Sequence, residues 1–256
     1  MNLKHVVTGM IVTAALAVGS AAHAQAAPQA KAPSSGSSES PWSADVAIGF
    51  DNSLFGNINS GAIGTLNNQA VVILKNSYRD VYGTGLYLRF GGGYMLKNDR
   101  EVRATFSFQS LSADLVPMGD LGTSKLYGQY SDYQAFTLDV GLRQYHRVSD
   151  MVQVYGEGTI GLGFLDQTDI TFAAPSINYT NKNTDFYDGT TAFSIGGAVG
   201  VLVKTTNKIG VYGQLGLRWV SGQSAVDNLI GTGLENINHN SDRMTLPFLV
   251  GVRYKF

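Results

Sequence analysis

The residue types that could perform hydrolysis lie together near the end of the chain. One residue separates His239 from Ser241, and Glu235 and Asp242 are close to them in sequence. A serine nucleophile needs a base within hydrogen-bond distance and a carboxylate that orients this base. The surrounding segment is rich in asparagine, which is also typical of an ordinary solvated loop. We therefore expect no enzymatic activity and keep hydrolysis as the less favoured alternative.

A second chemistry, ion pairing, is available to arginines and acids that recur at alternate positions. Asp139, Gly141 and Arg143 show the pattern, because one apolar residue separates each from the next. Residues two positions apart share one face of a β-strand, so these charges would face one another inside a closed sheet. The candidates for this charge network are Asp45, Arg89, Arg103, Asp139, Arg143, Glu157, Arg218 and Arg253.

Other binding chemistries find little support. Gly156–Gly161 fits the G-x-G-x-x-G pattern, but it lies inside a segment of period two, whereas nucleotide binding needs a strand, a turn and a helix. The four acids between Asp166 and Asp188 lack the spacing of a calcium loop. The chain has no cysteine, a formal net charge of −1 and no basic run. We expect no metal, no cofactor and no nucleic-acid partner.

The first residues have the pattern of a secretory signal peptide. Lys4 and His5 precede an apolar and small-residue run over Val6–Val18, and small residues at Ala22 and Ala24 suit a signal peptidase. A spanning helix is the alternative, but the run is shorter than the roughly 20 residues that crossing a bilayer requires. We predict a signal peptide over residues 1–24 and a flexible Ala/Pro/Ser-rich periplasmic tail over residues 25–41.

From residue 42 onward, apolar residues alternate with small or polar ones, which predicts half-wet β-strands. Most of these segments are near the length of about 10 residues that a tilted transmembrane strand needs. Eight such segments can be recognised: Trp42–Asp51, Tyr82–Tyr94, Val102–Gln109, Ala135–Arg143, Val152–Phe164, Phe193–Val203, Val211–Trp219 and Met244–Phe256.

The connections between these segments alternate in length. Short polar turns lie at 97–100, 148–150 and 205–208, whereas long polar stretches lie near 52–80, 112–131, 166–190 and 221–242. Short turns at one end and long loops at the other are typical of outer-membrane barrels. The pattern leaves open whether residues 69–75 form a strand within the first long loop.

The two faces of the predicted strands differ in the way a membrane requires. The charged residues share a face with glycines and other small residues, which suits a narrow lumen, while the apolar face carries no charge in any strand core. Aromatic residues near the strand ends predict two girdles at the membrane interfaces. We assign to the girdles Trp42, Tyr94, Tyr145, Tyr254, Phe50, Phe108, Phe136, Phe164, Phe193 and Trp219.

The final strand carries a family resemblance. Gly251, Val252, Tyr254 and the terminal Phe256 resemble the signal by which the outer-membrane assembly machinery recognises barrel proteins. In layout, residues 42–256 are similar to the small eight-stranded barrels typified by the OmpA transmembrane domain, OmpX and the opacity proteins. The resemblance implies an all-β, closed antiparallel up-and-down transmembrane β-barrel in a Gram-negative outer membrane. It also implies outer-membrane lipid and the assembly machinery as partners, periplasmic tail and turns, and extracellular loops.

For function, we favour a non-enzymatic structural or surface-interaction barrel with a lumen filled by side chains, because eight strands leave little interior space. An extracellular ligand or a host surface would then meet the long loops. The alternative is a narrow porin-like channel past the lumen glycines, among them Gly49, Gly91, Gly141, Gly161, Gly196 and Gly216. A hydrolase acting on outer-leaflet lipids is the third hypothesis, since some barrels of this resembled class are such enzymes.

Overall fold

The computed structural model describes residues 40–66, 68–226, 231–239 and 241–256. The predicted signal peptide and nearly all of the predicted tail lie outside the described residues. The first strand begins at Trp42, the residue at which the alternating sequence pattern begins.

Eight antiparallel strands form a closed barrel in which each strand pairs with its neighbour along the chain. The first and last strands close it, with Ser43 opposite Lys255 and Phe50 opposite Phe248. The closed eight-stranded barrel predicted from the sequence is therefore confirmed. Its strands are β1 (Trp42–Phe55), β6 (Gly85–Met95), β7 (Arg100–Leu111), β10 (Tyr133–Arg147), β11 (Val152–Leu165), β14 (Thr190–Lys204), β15 (Ile209–Val220) and β17 (Arg243–Lys255).

Burial along the strands follows the period of two. In β10, Leu138 and Val140 are 53% and 56% exposed on the outside, while Thr137 and Asp139, which alternate with them, are buried inside. The order is the reverse of that in a soluble protein, because here the apolar face points away from the molecule. The barrel therefore presents an apolar outer wall and a polar interior, as a transmembrane barrel must.

The long connections fold into a second structure above the barrel, which we call the cap (residues 56–84, 112–132, 166–189 and 221–242, where described). The sequence predicts polar loops here, but these stretches are folded. They contain a seven-stranded sheet and a two-stranded one. The cap strands are β2 (Asn57–Asn59), β3 (Ala62–Leu66), β4 (Gln69–Ile73), β5 (Asn76–Ser77), β8 (Leu115–Leu121), β9 (Ser124–Tyr130), β12 (Thr168–Ala174), β13 (Tyr179–Asp188) and β16 (Ser224–Ala225).

The cap has a hydrophobic core of its own. Side chains from three of the connections, such as Ile58, Met118, Ile170 and Phe186, are fully or almost fully buried against one another. β4 also answers the question that the sequence left open, because residues 69–73 are a strand that pairs with both β3 and β8. A connection that buries apolar side chains in this way is part of a folded structure and is not a solvated loop.

Helical structure is brief. The helix α1 (Tyr78–Val81) begins with a capping box in which Ser77 and Asp80 bond each other's backbone amides. A 3₁₀ turn covers Pro175–Ile177. Within the described ranges, no helix combines the length and the apolar character that crossing a membrane would take.

Candidate functional site: the charged lumen and the cap

The lower half of the lumen is organised around the carboxylate of Glu101, which is fully buried. Arg253 donates to both of its oxygens, from Nη2 to Oε1 at 2.6 Å and from Nη1 to Oε2 at 2.8 Å. Ser43 Oγ donates to Oε1, and Tyr145 Oη donates to Oε2. Arg103 then connects this group to the next carboxylate, that of Asp45. The bidentate arginine and the extra donors satisfy a charge that burial would otherwise make costly.

The middle of the lumen holds a second pair, Arg143 and Glu157, joined by hydrogen bonds from Arg143 Nε and Nη2. The Arg143 guanidinium also lies 4.0 Å from the ring centroid of Tyr155. A guanidinium that stacks on an aromatic ring keeps a favourable contact on the face that the carboxylate does not cover.

Arg89 differs from these arginines because no carboxylate in the described residues lies within ion-pairing distance of it. Its Nη2 donates to Gln214 Oε1 at 2.9 Å and to Tyr212 Oη at 3.3 Å. Gln214 in turn accepts from Arg143 and Tyr155. Arg89 is thus held by neutral acceptors in the middle of the network.

Near the cap, the charges continue in two further pairs. Arg218 Nη2 is 3.3 Å from Asp139 Oδ1 and also donates to Ser194. Higher still, Arg243 Nη2 is 3.2 Å from Asp51 Oδ2. The Arg243 guanidinium lies 4.3 Å from the ring centroid of Tyr133, at the boundary between lumen and cap.

The interior is packed, but some of its buried polar side-chain atoms have no hydrogen-bond partner. Buried polar atoms without a partner include Asp51 Oδ1, Ser53 Oγ, Thr245 Oγ1 and two nitrogens of Arg243, all at the top of the lumen. A cavity of about 40 Å³ lies lower, beside Arg89 and Glu157. That volume has room for two or three water molecules at most. A much larger concavity of about 730 Å³ lies on the apolar outer wall, beside Phe90, Phe106 and Phe193.

All eight charges proposed from the sequence point into the lumen. Ion pairs and hydrogen bonds, some through Glu101, Tyr212 and Gln214, connect six of them, whereas Asp139 and Arg218 form a pair of their own. Three further charged residues that were not among the sequence candidates also lie in the lumen: Asp51, Glu101 and Arg243. The sequence pattern could have indicated them, because each lies an even number of positions from an inward-facing residue of its own strand. The aromatic members, Tyr87, Tyr145, Tyr155 and Tyr212, were missed as partners for a different reason, since tyrosine suits either face of such a strand.

One girdle assignment was wrong. Tyr145 is 4% exposed and lies inside the barrel, where its hydroxyl donates to Glu101. The period of two requires this position, because Tyr145 lies two residues after the inward-facing Arg143. The remaining girdle residues lie on the outer wall. Trp42 packs against Tyr94 at the end with the short turns, with ring centroids 4.9 Å apart.

The other proposed girdle residues follow the same division between the two ends. Tyr254 packs against Phe256 near Trp42, at the short-turn end. Phe108 packs against Phe136, and Phe193 against Trp219, nearer the cap. Phe50 and Phe164 complete that upper group. In the last strand, Val252, Tyr254 and Phe256 point outward, whereas Gly251 lies against the Tyr212 ring inside the barrel.

The residues considered for hydrolysis do not form a triad. Ser241 Oγ accepts from the Gln223 amide at 2.6 Å. Glu235 accepts from the amides of Gly231 and Gly233, and Asp242 accepts from the Gly222 amide. No hydrogen bond joins His239 to any of the three. The nucleophile and base are therefore not coupled in the way that nucleophilic catalysis requires.

Tyrosine hydroxyls tie the connections of the cap together. Tyr78 donates to the carbonyl of Ser241, Tyr82 to that of Ser131 and Tyr187 to that of Ile58, while Tyr130 donates to the Asn59 side chain. Each bond joins two different connections. Burial raises the pKa of each of these four tyrosines above the ordinary value. Hydrogen bonds therefore join the connections of the cap into one folded unit that covers the lumen.

A closed eight-stranded barrel with an apolar wall, a charged interior and a folded cap defines the class of transmembrane β-barrels. No family model matches the chain, and no curated protein matches it. The architecture expected from the resemblance to small outer-membrane barrels is nevertheless the one observed.

Three solved structures illustrate the similarity. Neisserial surface protein A has a TM-score of 0.45 and 11% identity, over 85% of this chain and 98% of that chain. OprG from Pseudomonas aeruginosa has a TM-score of 0.42 and 13% identity, over 85% and 97%. The outer membrane protease OmpT from Escherichia coli has a TM-score of 0.38 and 10% identity, over 86% and 98%. At these values the similarity concerns architecture and says nothing about activity.

Proposed function

We propose that the chain is a non-enzymatic outer-membrane β-barrel whose filled lumen supports a folded extracellular cap, and that the cap is the part that meets other molecules. The observation that carries the proposal is the combination of an apolar outer wall with an interior closed by paired charges. The wall suits a bilayer, and the interior suits a support better than a pore.

The outer wall supports insertion into a membrane. Large apolar side chains cover it around the whole circumference, for example Ile48, Phe90, Leu138, Ile160 and Leu217, each about half exposed. Soluble monomers rarely expose contiguous apolar patches beyond roughly 300–600 Å². A belt of apolar side chains that runs around the whole barrel is stable only when hydrocarbon covers it.

The lumen glycines argue against a channel. A Cβ added at Gly91 would collide with Arg103 and Asp45, and one added at Gly161 would collide with Asp139. These glycines therefore make room for the charged side chains and leave no open path of their own. Above them, the tyrosine-rich core of the cap covers the lumen.

The conductance of the purified protein in a planar bilayer tests the filled lumen. We expect no steady single-channel current in wild type. The matched pair of variants is Arg103→Ala, which removes a side chain from the plugged interior, and Arg100→Ala, which removes an exposed arginine at the turn. A steady current in wild type would establish the narrow channel in place of the structural barrel.

The orientation of the barrel is also part of the proposal, with the cap outside the cell and the short turns in the periplasm. Because the chain has no cysteine, single cysteines give a clean probe. Ser176→Cys lies in the exposed 3₁₀ turn of the cap, and Asn207→Cys lies in an exposed short turn. On intact cells, an impermeant thiol reagent is expected to label the first and not the second, and the reverse pattern would contradict the orientation.

A further inference from the structure

Charge is distributed unequally between the two ends of the barrel. In the described residues, the cap carries ten acidic and four basic side chains. The short-turn end carries only two acids, Asp99 and Asp150, but six bases. We call these six the basic rim: Lys97, Arg100, Arg147, Lys204, Lys208 and Lys255.

The basic rim surrounds most of the barrel. Lys97 and Arg100 lie at the turn between β6 and β7, Arg147 ends β10, and Lys204 and Lys208 flank the turn between β14 and β15. Lys255 ends β17. Every short turn thus contributes at least one cation to the same end of the molecule.

Most of these cations are not neutralised by the protein. Lys97, Arg147, Lys204 and Lys208 form no ion pair with any described residue, and all but Lys204 are exposed. They differ in this from the arginines of the lumen, which are buried and held by carboxylates, tyrosines or Gln214. Four like charges held near one plane repel one another unless an anion lies beside them.

The position of the basic rim beside an aromatic row indicates which anions its cations meet. Lys208 Nζ lies 5.9 Å from the ring centroid of Tyr254, and Trp42 and Tyr94 form the adjoining part of the same aromatic row. Aromatic rows of this kind lie at the headgroup level of a bilayer. Lysine and arginine side chains just beyond the row therefore reach the phosphates of the lipids.

We propose that the basic rim binds the headgroups of anionic phospholipids in the leaflet that contacts the short turns. The proposal rests on the proposed function, because it needs the barrel to lie in a bilayer. It goes further by naming a lipid class and the residues that select it. Each cation removed is expected to weaken the binding by roughly fivefold at most.

Two matched quadruple variants test the proposal in the full chain. The rim variant is Lys97→Gln, Arg147→Gln, Lys204→Gln and Lys208→Gln. The cap variant is Lys75→Gln, Arg79→Gln, Lys125→Gln and Lys182→Gln, which removes the same four charges from the other end. Native mass spectrometry of the purified barrels, with added phosphatidylglycerol or phosphatidylcholine, measures the apparent affinity for each lipid.

Wild type and the cap variant are expected to bind phosphatidylglycerol at least about tenfold more tightly than phosphatidylcholine, and the rim variant is expected to lose this preference. The proposal is overturned if the rim variant keeps the preference, or if the cap variant loses it equally. Insertion into phosphatidylcholine vesicles, followed by circular dichroism, distinguishes a failure of the basic-rim proposal from a failure of the proposed function. A barrel that inserts but shows no lipid preference overturns the rim alone, whereas a failure to insert overturns the proposed function as well.

Discussion

Glu101 accepts hydrogen bonds or ion pairs from four side chains that come from β1, β7, β10 and β17. It joins strands that are far apart in sequence, although the sequence marks it only by its position two residues before the inward-facing Arg103. Its importance arises from its position on the inward face at the foot of the lumen. There one carboxylate balances two arginines, Arg103 and Arg253.

Replacing this carboxylate by an amide of the same shape tests its contribution. Glu101→Gln leaves Arg253 with a much weaker acceptor and is expected to destabilise the barrel by about 3 kcal/mol, the usual cost of breaking a buried ion pair. The urea midpoint of the protein refolded in lipid vesicles measures the change. Asp99→Asn, in the adjacent exposed turn, is the control and should cost less than about 0.5 kcal/mol. Equal losses would mean that the Glu101 network adds no stability.

At this scale, the sequence predicts the direction of a side chain better than its partner. Parity places Arg89, Arg143 and Glu157 in the lumen correctly, because a strand allows only two faces. Whether Arg143 pairs with Glu157 or with Asp139 depends on strand register and on rotamers, and neither is visible in the sequence. Tyr145 shows the opposite error, in which residue type was weighed above parity.

At the scale of the elements, the cap depends on tyrosines whose hydroxyls are buried and bonded to other connections. The pKa of each such tyrosine is raised by burial, because the charged phenolate is poorly solvated inside the cap. Unfolding would return the pKa to its ordinary value near 10. Above that pH the unfolded chain therefore loses protons more readily than the folded cap does.

The sign of the pH dependence follows from this difference. The contribution of these tyrosines to cap stability is complete below about pH 10 and is lost as the pH rises from there toward their folded-state pKa values. An alkaline titration followed by tyrosinate absorbance is expected to show a delayed group that ionises together with loss of cap structure. Tyr78→Phe removes one hydroxyl from the delayed group and serves as the control. Ionisation of all tyrosines in one step near pH 10 would contradict the buried hydroxyl network.

The cap could not be predicted in the way that the barrel could. Each barrel strand repeats a period of two over most of its length, so the signal lies within one segment. The core of the cap is built from residues such as Ile58, Met118 and Phe186, which belong to three different connections. No single connection shows a periodic pattern long enough to stand out, and their glycines and asparagines are equally typical of loops.

At the scale of the whole molecule, the apolar belt and the cap surface should respond differently to the same substitution. Val140 is 56% exposed on the barrel wall, and Ile63 is 76% exposed on the cap. Val140→Arg places a charge against hydrocarbon and is expected to cost about 2–4 kcal/mol in lipid vesicles, whereas Ile63→Arg should change stability by less than about 0.5 kcal/mol. Urea unfolding measures both. Similar losses at the two positions would contradict a boundary between lipid and water below the cap.

The closure of the barrel sets the order in which the molecule can fold. Ser43 pairs with Lys255, so the contact that completes the barrel joins its first and last strands. Contacts of such high sequence separation form slowly, and until they form, β1 and β17 each keep an open edge that can pair with another chain. The pairing of β17 with β1 therefore determines when β1 ceases to be an aggregation hazard.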